Sequence, residues 1–133
     1  MTNEEYSLII KKILNLNSKE EIDKYEELIS KDMYCSFQYA KFLNKRFEKG
    51  EEAISKSSKL SFLYAKEIIK DRFIEGENEI FSNIDITYEY IVHFLKKPIE
   101  KAHIRLLNSR LQKDYIEFLN KNNYEDLTLE YLI

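Results

Sequence analysis

The chain writes one phrase twice. SFQYAKFLNKRFEKGEEAI occupies residues 36–54, and SFLYAKEIIKDRFIEGENEI occupies residues 61–80. Phe37 and Phe62, Tyr39 and Tyr64, and Ala40 and Ala65 lie 25 residues apart. Arg46-Phe47 and Arg72-Phe73, Gly50 and Gly76, and Ile54 and Ile80 lie 26 apart, so the register slips by one residue, a slip assigned here to a loop. The period continues outward through Tyr90 and Tyr115, through Ile29, Ile54, Ile80 and Ile104, and through Lys45, Lys70, Lys96 and Lys121. A period of this length marks stacked supersecondary units, each too small to bury its own apolar face. Four such units are expected over residues 22–121.

Each unit divides into a short helix, typified by GEEAIS, and a long one, typified by SFLYAKEIIKDRF. Only two Gly and one Pro occur in 133 residues, so little in the chain opposes helix. Phe62, Ala65, Ile68, Ile69 and Phe73 recur at spacings of three and four, as do Tyr88, Ile91, Val92 and Leu95, which places each set on one helical face. Asp32, Ser58, Asp85 and Ser109 precede the long segments as candidate N-caps, and Pro98 suits the first turn of the fourth short helix. Residues 3–16 read as an N-terminal capping helix with Tyr6, Ile9, Ile10, Ile13 and Leu14 inward. Ser18 and Glu21 form a capping-box signal for the next helix. Residues 122–133 form a C-terminal cap, helix or strand. The expected fold is a single all-α domain of helical hairpins stacked as a small solenoid or bundle.

Tyr64, Ala65, Ile68, Ile69, Lys70, Arg72, Phe73, Glu75 and Glu77 make a pattern that resembles a helical repeat of uncharacterised tailed-bacteriophage proteins. Tyr39, Ala40, Arg46, Phe47 and Glu51 match it in the preceding unit. The last two units depart from it: Ile91 and Ile116 replace the alanine, and Lys97-Pro98 replaces the Arg-aromatic pair. The resemblance implies a virus-derived helical repeat protein and brings no catalytic residues with it.

Composition narrows the function classes. A net charge of −3 and a pI near 5.5 speak against a general nucleic-acid binder, whose footprint is basic. The lone Cys35 allows no internal disulfide, which favours a reducing, cytoplasmic setting. The acidic opening MTNEEYSLII does not resemble a signal peptide, and no apolar run is long enough for a bilayer, so no membrane is expected.

Two ladders are candidate interaction surfaces. Tyr39, Tyr64, Tyr90 and Tyr115 form either a tyrosine edge for a partner or a row of inter-unit packing residues with hydroxyls in water. Lys45, Lys70, Lys96 and Lys121, with Arg46, Arg72 and Lys97, form either a basic stripe or helix-end cations balanced by Glu51, Glu52, Glu75, Glu77 and Glu100. His93 and His103 sit in no metal-ligand pattern, and Cys35 reads as a small buried residue rather than a nucleophile. Gly50 and Gly76 hold equivalent positions where a small residue eases close approach, with Ala102 as the fourth-unit counterpart. The resulting expectation is a non-enzymatic protein without cofactor or metal that binds a host protein or complex. By analogy with small phage proteins, inhibition of a defence system such as a CRISPR effector is its most concrete form. Nucleic-acid binding through the Lys/Arg edge and self-association through the ends of the stack are the alternatives.

Overall fold

A computed structural model of the chain describes residues 1–127, and among them every regular element is helical. The chain opens with α1 (Asn3–Leu14), α2 (Lys19–Ser30) and α3 (Met33–Leu43). A 3₁₀ turn (Glu48–Gly50) then leads into α4 (Glu51–Ile54), and α5 (Ser58–Tyr64) continues as a π-helical stretch (Ala65–Ile69). The same succession follows: a 3₁₀ turn (Ile74–Gly76), α6 (Glu77–Ser82), and α7 (Ile84–Tyr88) prolonged as π-helix (Glu89–Leu95). The chain goes on through α8 (Glu100–Leu107) and α9 (Gln112–Lys121), and residues 125–127 are again helical. The helix-or-strand alternative for the tail otherwise falls on residues 128–133, outside the described residues.

Long helices pack on long ones, α3 on α5 and α5 on α7, while α2 and α4 each pack on the 3₁₀ turn of the following unit. The core between them is dominated by Ile29, Ile54, Ile80, Phe73, Ile91, Leu106, Leu107 and Leu119 together with four tyrosines. One hydroxyl joins each of α2, α4 and α6 to the helix after it. Ser36 Oγ donates to the Ile29 carbonyl, Ser61 Oγ to Ile54 and Thr87 Oγ1 to Ile80, at 2.9–3.1 Å. Those carbonyls lie at helix C-termini, where each also accepts one backbone N–H, from Asp32, Ser57 and Asn83 respectively. The close approach expected at the glycines is present. A Cβ added at Gly50 would lie 2.5 Å from Ser36 Cβ, and one at Gly76 would lie 2.4 Å from Ser61 Oγ.

Several expectations are corrected by the packing. The one-residue slip is not in a loop but inside the long helix. Seven residues separate Tyr39 from Arg46 and eight separate Tyr64 from Arg72. The extra residue is absorbed by a π turn, in which Lys70 N–H reaches back to Ala65 and Lys96 N–H to Ile91. Both lysines then adopt the left-handed conformation that ends the helix, at φ 61° and 57°. The caps are Asp32, Ser57 and Asn83, whose side chains accept from Cys35, Leu60 and Ile86 N–H; the expected Ser58 and Asp85 each lie inside the helix they were to cap. Ser109 stands in the turn before α9, accepting from Leu111 N–H. Ser18 directly precedes α2 but makes no side-chain cap bond, so the capping box is not formed. Pro98 lies just before α8. Ile104 is exposed, and Leu106, 26 residues after Ile80, is the buried residue instead. Leu14 likewise faces outward, while Ile13 is buried and Tyr6, Ile9 and Ile10 are half-buried.

Candidate functional site

The tyrosine ladder is not a surface. Tyr39, Tyr64, Tyr90 and Tyr115 are exposed by no more than 1%, and their hydroxyls are taken by protein groups rather than water. Tyr64 donates to Glu51 Oε2 at 2.5 Å and accepts from Phe47 N–H at 3.0 Å. Tyr90 repeats this with Glu77 Oε2 at 2.7 Å and Phe73 N–H at 3.0 Å. Tyr39 donates to Glu26 Oε2 at 2.7 Å, and Tyr115 meets His103 Nδ1 at 2.6 Å. Phe47 also sets its ring edge-on against Tyr39 at 4.8 Å, and Phe73 does the same to Tyr64 at 5.0 Å. Each phenylalanine therefore ties one tyrosine by its ring and the next by its N–H.

The two arginines of the basic ladder belong to the same nodes. Arg46 grips Glu51 with two nitrogens at 2.8 Å, and Arg72 grips Glu77 at 2.6–2.7 Å. This bidentate fork is the strong form of the pair. The Glu51 and Glu77 side chains are 8% and 5% exposed, against 49% and 34% for their arginines. Burial pushes the Glu51 carboxyl up, but the bonds from Arg46 and Tyr64 outweigh it and hold the group below its ordinary value. Burial, reinforced by the carboxylate, pushes the Tyr64 and Tyr90 hydroxyls well above 10. Arg46 and Arg72, though partly exposed, thus have their charge paired with a buried carboxylate of the fold.

Lys45, Lys70, Lys96, Lys97 and Lys121 do lie at the surface. Lys96 and Lys121 border one groove of about 380 Å³ between the third long helix and α9, but Asp114 and Glu117 border it too. Lys97 lies in another hollow, of about 370 Å³, beside Arg72 and Glu100. Carboxylates thus border both hollows, although Lys101 joins Lys97 and Arg72 at the second. Cys35 is buried, and burial with the neighbouring Asp32 pushes its thiol up to about 11, which keeps it protonated. His93 stacks edge-on with Tyr88 at 5.4 Å. Among the described residues no three His, Cys, Asp or Glu side chains converge as a metal site, and no helix is long and apolar enough to cross a membrane.

A different region holds the open apolar surface. Between α1 and α3 lies a groove of about 530 Å³ lined by Tyr6, Ser7, Ile10, Lys11, Gln38, Lys41 and Phe42. Phe42 is 45% exposed on its rim, and Leu8, 58% exposed, lines an adjoining hollow of about 380 Å³. Tyr34, also exposed, extends the rim along the Tyr34, Gln38, Phe42 stripe of α3. The repeat pattern hid this region, because α1 lies outside the period. Leu8 falling off the Ile9–Ile13 face, and Phe42 beside rather than on the Phe37–Ala40 face, were the available signals. The glutamates were legible as helix-start anions, but not as tyrosine partners 13 residues away.

Comparison of the chain with protein-family models, curated proteins and solved structures found no match.

Proposed function

We propose that the chain is a short solenoid of helical hairpins that works without catalysis, by binding another protein. The observation that carries this reading is the division of labour between inside and outside. The tyrosine hydroxyls, Glu51 and Glu77 are consumed in buried or part-buried hydrogen bonds, and the partly exposed Arg46 and Arg72 are committed to the two glutamates. What faces outward as a continuous feature is the α1–α3 groove, with a large aromatic ring on its rim. An exposed concave apolar surface bordered by polar residues is the usual mark of a protein-binding site. The resemblance to a bacteriophage repeat makes a host protein the natural partner, and interference with its assembly the natural consequence.

Phe42→Asp places a charge on the groove rim and Leu8→Asp one in the hollow beside it; because the Phe42 ring also stacks on Tyr39 at 6.1 Å, Leu8→Asp is the variant that leaves the buried nodes untouched. Both variants are expected to keep wild-type helicity, and Leu8→Asp the wild-type melting temperature as well, while losing the proteins that the wild-type chain retains from host lysate. Retention of the same proteins by both variants overturns the assignment of binding to this groove.

A further inference from the structure

We propose that the α1–α3 groove receives an acidic amphipathic segment of the partner protein, one that inserts a large apolar side chain and sets carboxylates against Lys11 and Lys41. The proposal rests on the reading of this groove as the binding site and specifies the chemistry of what enters it.

Charge is the first ground. The chain as a whole carries −3, yet Lys11 and Lys41 are the charged residues lining this groove, one on each wall, with no carboxylate among the lining side chains; Glu4 enters only the adjoining hollow, which Lys11 also borders. The contrast with the groove beside α9 is direct, since there Asp114 and Glu117 offset Lys96 and Lys121. A cation on each wall of an apolar groove favours an anionic occupant and disfavours a basic one, and such complementarity governs partner choice and on-rate.

The placement of the cations is the second ground. Neither Lys11 nor Lys41 has an ion pair among the described residues. The Lys41 ammonium instead lies 5.5 Å from the centre of the Phe37 ring, so its stem runs along apolar surface. Lys49, by comparison, is already committed to Asp23 and Glu26. Tyr6, Ile10 and Phe42 form the apolar floor and rim, and Ser7 and Gln38 supply polar contacts. Apolar anchors at helical spacing, flanked by acidic residues, match this combination, which is the helix-in-groove mode of recognition.

The test is selection of a random peptide library on the intact protein, followed by measurement of the enriched peptides on wild-type protein, on Lys11→Glu/Lys41→Glu and on Phe42→Asp. Enriched peptides are expected to combine Asp or Glu with Leu, Phe or Trp, and to bind more weakly as salt rises. Double charge reversal is expected to weaken them by about tenfold or more, with helicity and melting temperature unchanged. Peptides that are neutral or basic, or acidic peptides indifferent to the charge reversal, overturn the proposal, as does failure of any peptide to enrich. Peptides sensitive to Phe42→Asp but not acidic leave the groove as the binding site and remove only the acidic partner, which separates the two failures.

Discussion

The second and third tyrosine nodes share a design that the fourth abandons. Around Tyr64 and Tyr90, an arginine five residues ahead of a glutamate holds the carboxylate that receives the hydroxyl. Around Tyr115 the Ala102 N–H to Ile99 carbonyl bond repeats those of Gly50 to Phe47 and Gly76 to Phe73. The Arg-aromatic pair therefore corresponds to Pro98-Ile99 rather than to the expected Lys97-Pro98, and the glutamate to His103; cation and carboxylate have disappeared together. The physical reason is the cost of an uncompensated buried charge: removing one partner of a buried pair is far more damaging than replacing both. A histidine ring can meet the tyrosine hydroxyl without needing a cation. The first node offers a third solution, since Glu26 receives Tyr39 while Lys49, from the following unit, supplies the positive charge. Hydroxyl satisfaction is common to all four nodes, and the ion pair is the means by which two of them achieve it.

The broadest way to test what the nodes share is alkaline titration. Burial pushes Tyr39, Tyr64, Tyr90 and Tyr115 well above the ordinary value of 10, aided by a carboxylate at the first three. Unfolded tyrosines ionise near 10 and the folded ones do not. This stabilisation is therefore complete below pH 10 and is lost as pH rises beyond it. Phenolate absorbance is expected to rise for these four only as helical circular dichroism falls. Full ionisation of all ten tyrosines with helicity intact would contradict the shared burial.

A smaller effect separates the nodes. Tyr90→Phe leaves the buried Phe73 N–H without an acceptor and the Glu77 carboxylate short of one donor. A loss of about 2–3 kcal/mol is expected, because an orphaned buried group forfeits its solvation. Tyr115→Phe strands only a nitrogen of the half-buried His103, which water can reach, and about 1 kcal/mol or less is expected. Urea unfolding of the two variants, with equal m-values, measures the difference directly, and equal losses would dissolve the distinction.

The finest test rebuilds the lost pair. His103→Glu alone places a carboxylate beside Tyr115 without a cation, and Pro98→Arg alone adds a cation without its carboxylate. A double-mutant cycle is expected to return a favourable coupling of about 1 kcal/mol or more if the arginine and glutamate act as one unit. Additive effects would show that the α8 backbone no longer supports the fork.

Periodicity made the helical character and much of the core legible. The recurrence of Ile54 and Ile80, of Phe47 and Phe73, and of the four tyrosines identified residues that the structure buries. It also pointed to the steric role of Gly50 and Gly76, where a side chain collides with Ser36 or Ser61. It misread Ile104, because the last unit omits a residue after α8 and identity at one spacing concealed Leu106. It could not decide whether the tyrosines faced a partner or the core, since a tyrosine has both an apolar body and a polar tip.

What the sequence determined by itself is therefore local and periodic: helices, their approximate ends, and a row of equivalent positions repeated every 25–26 residues. Tertiary structure alone decided where the hydroxyls go and which charges remain free. Tyr64 finds Glu51 across 13 residues, and Arg46 is spent on the same carboxylate, only because the hairpin folds back on itself. The same packing brings Lys11 of α1 and Lys41 of α3 to one open groove, a juxtaposition that no spacing along the chain encodes.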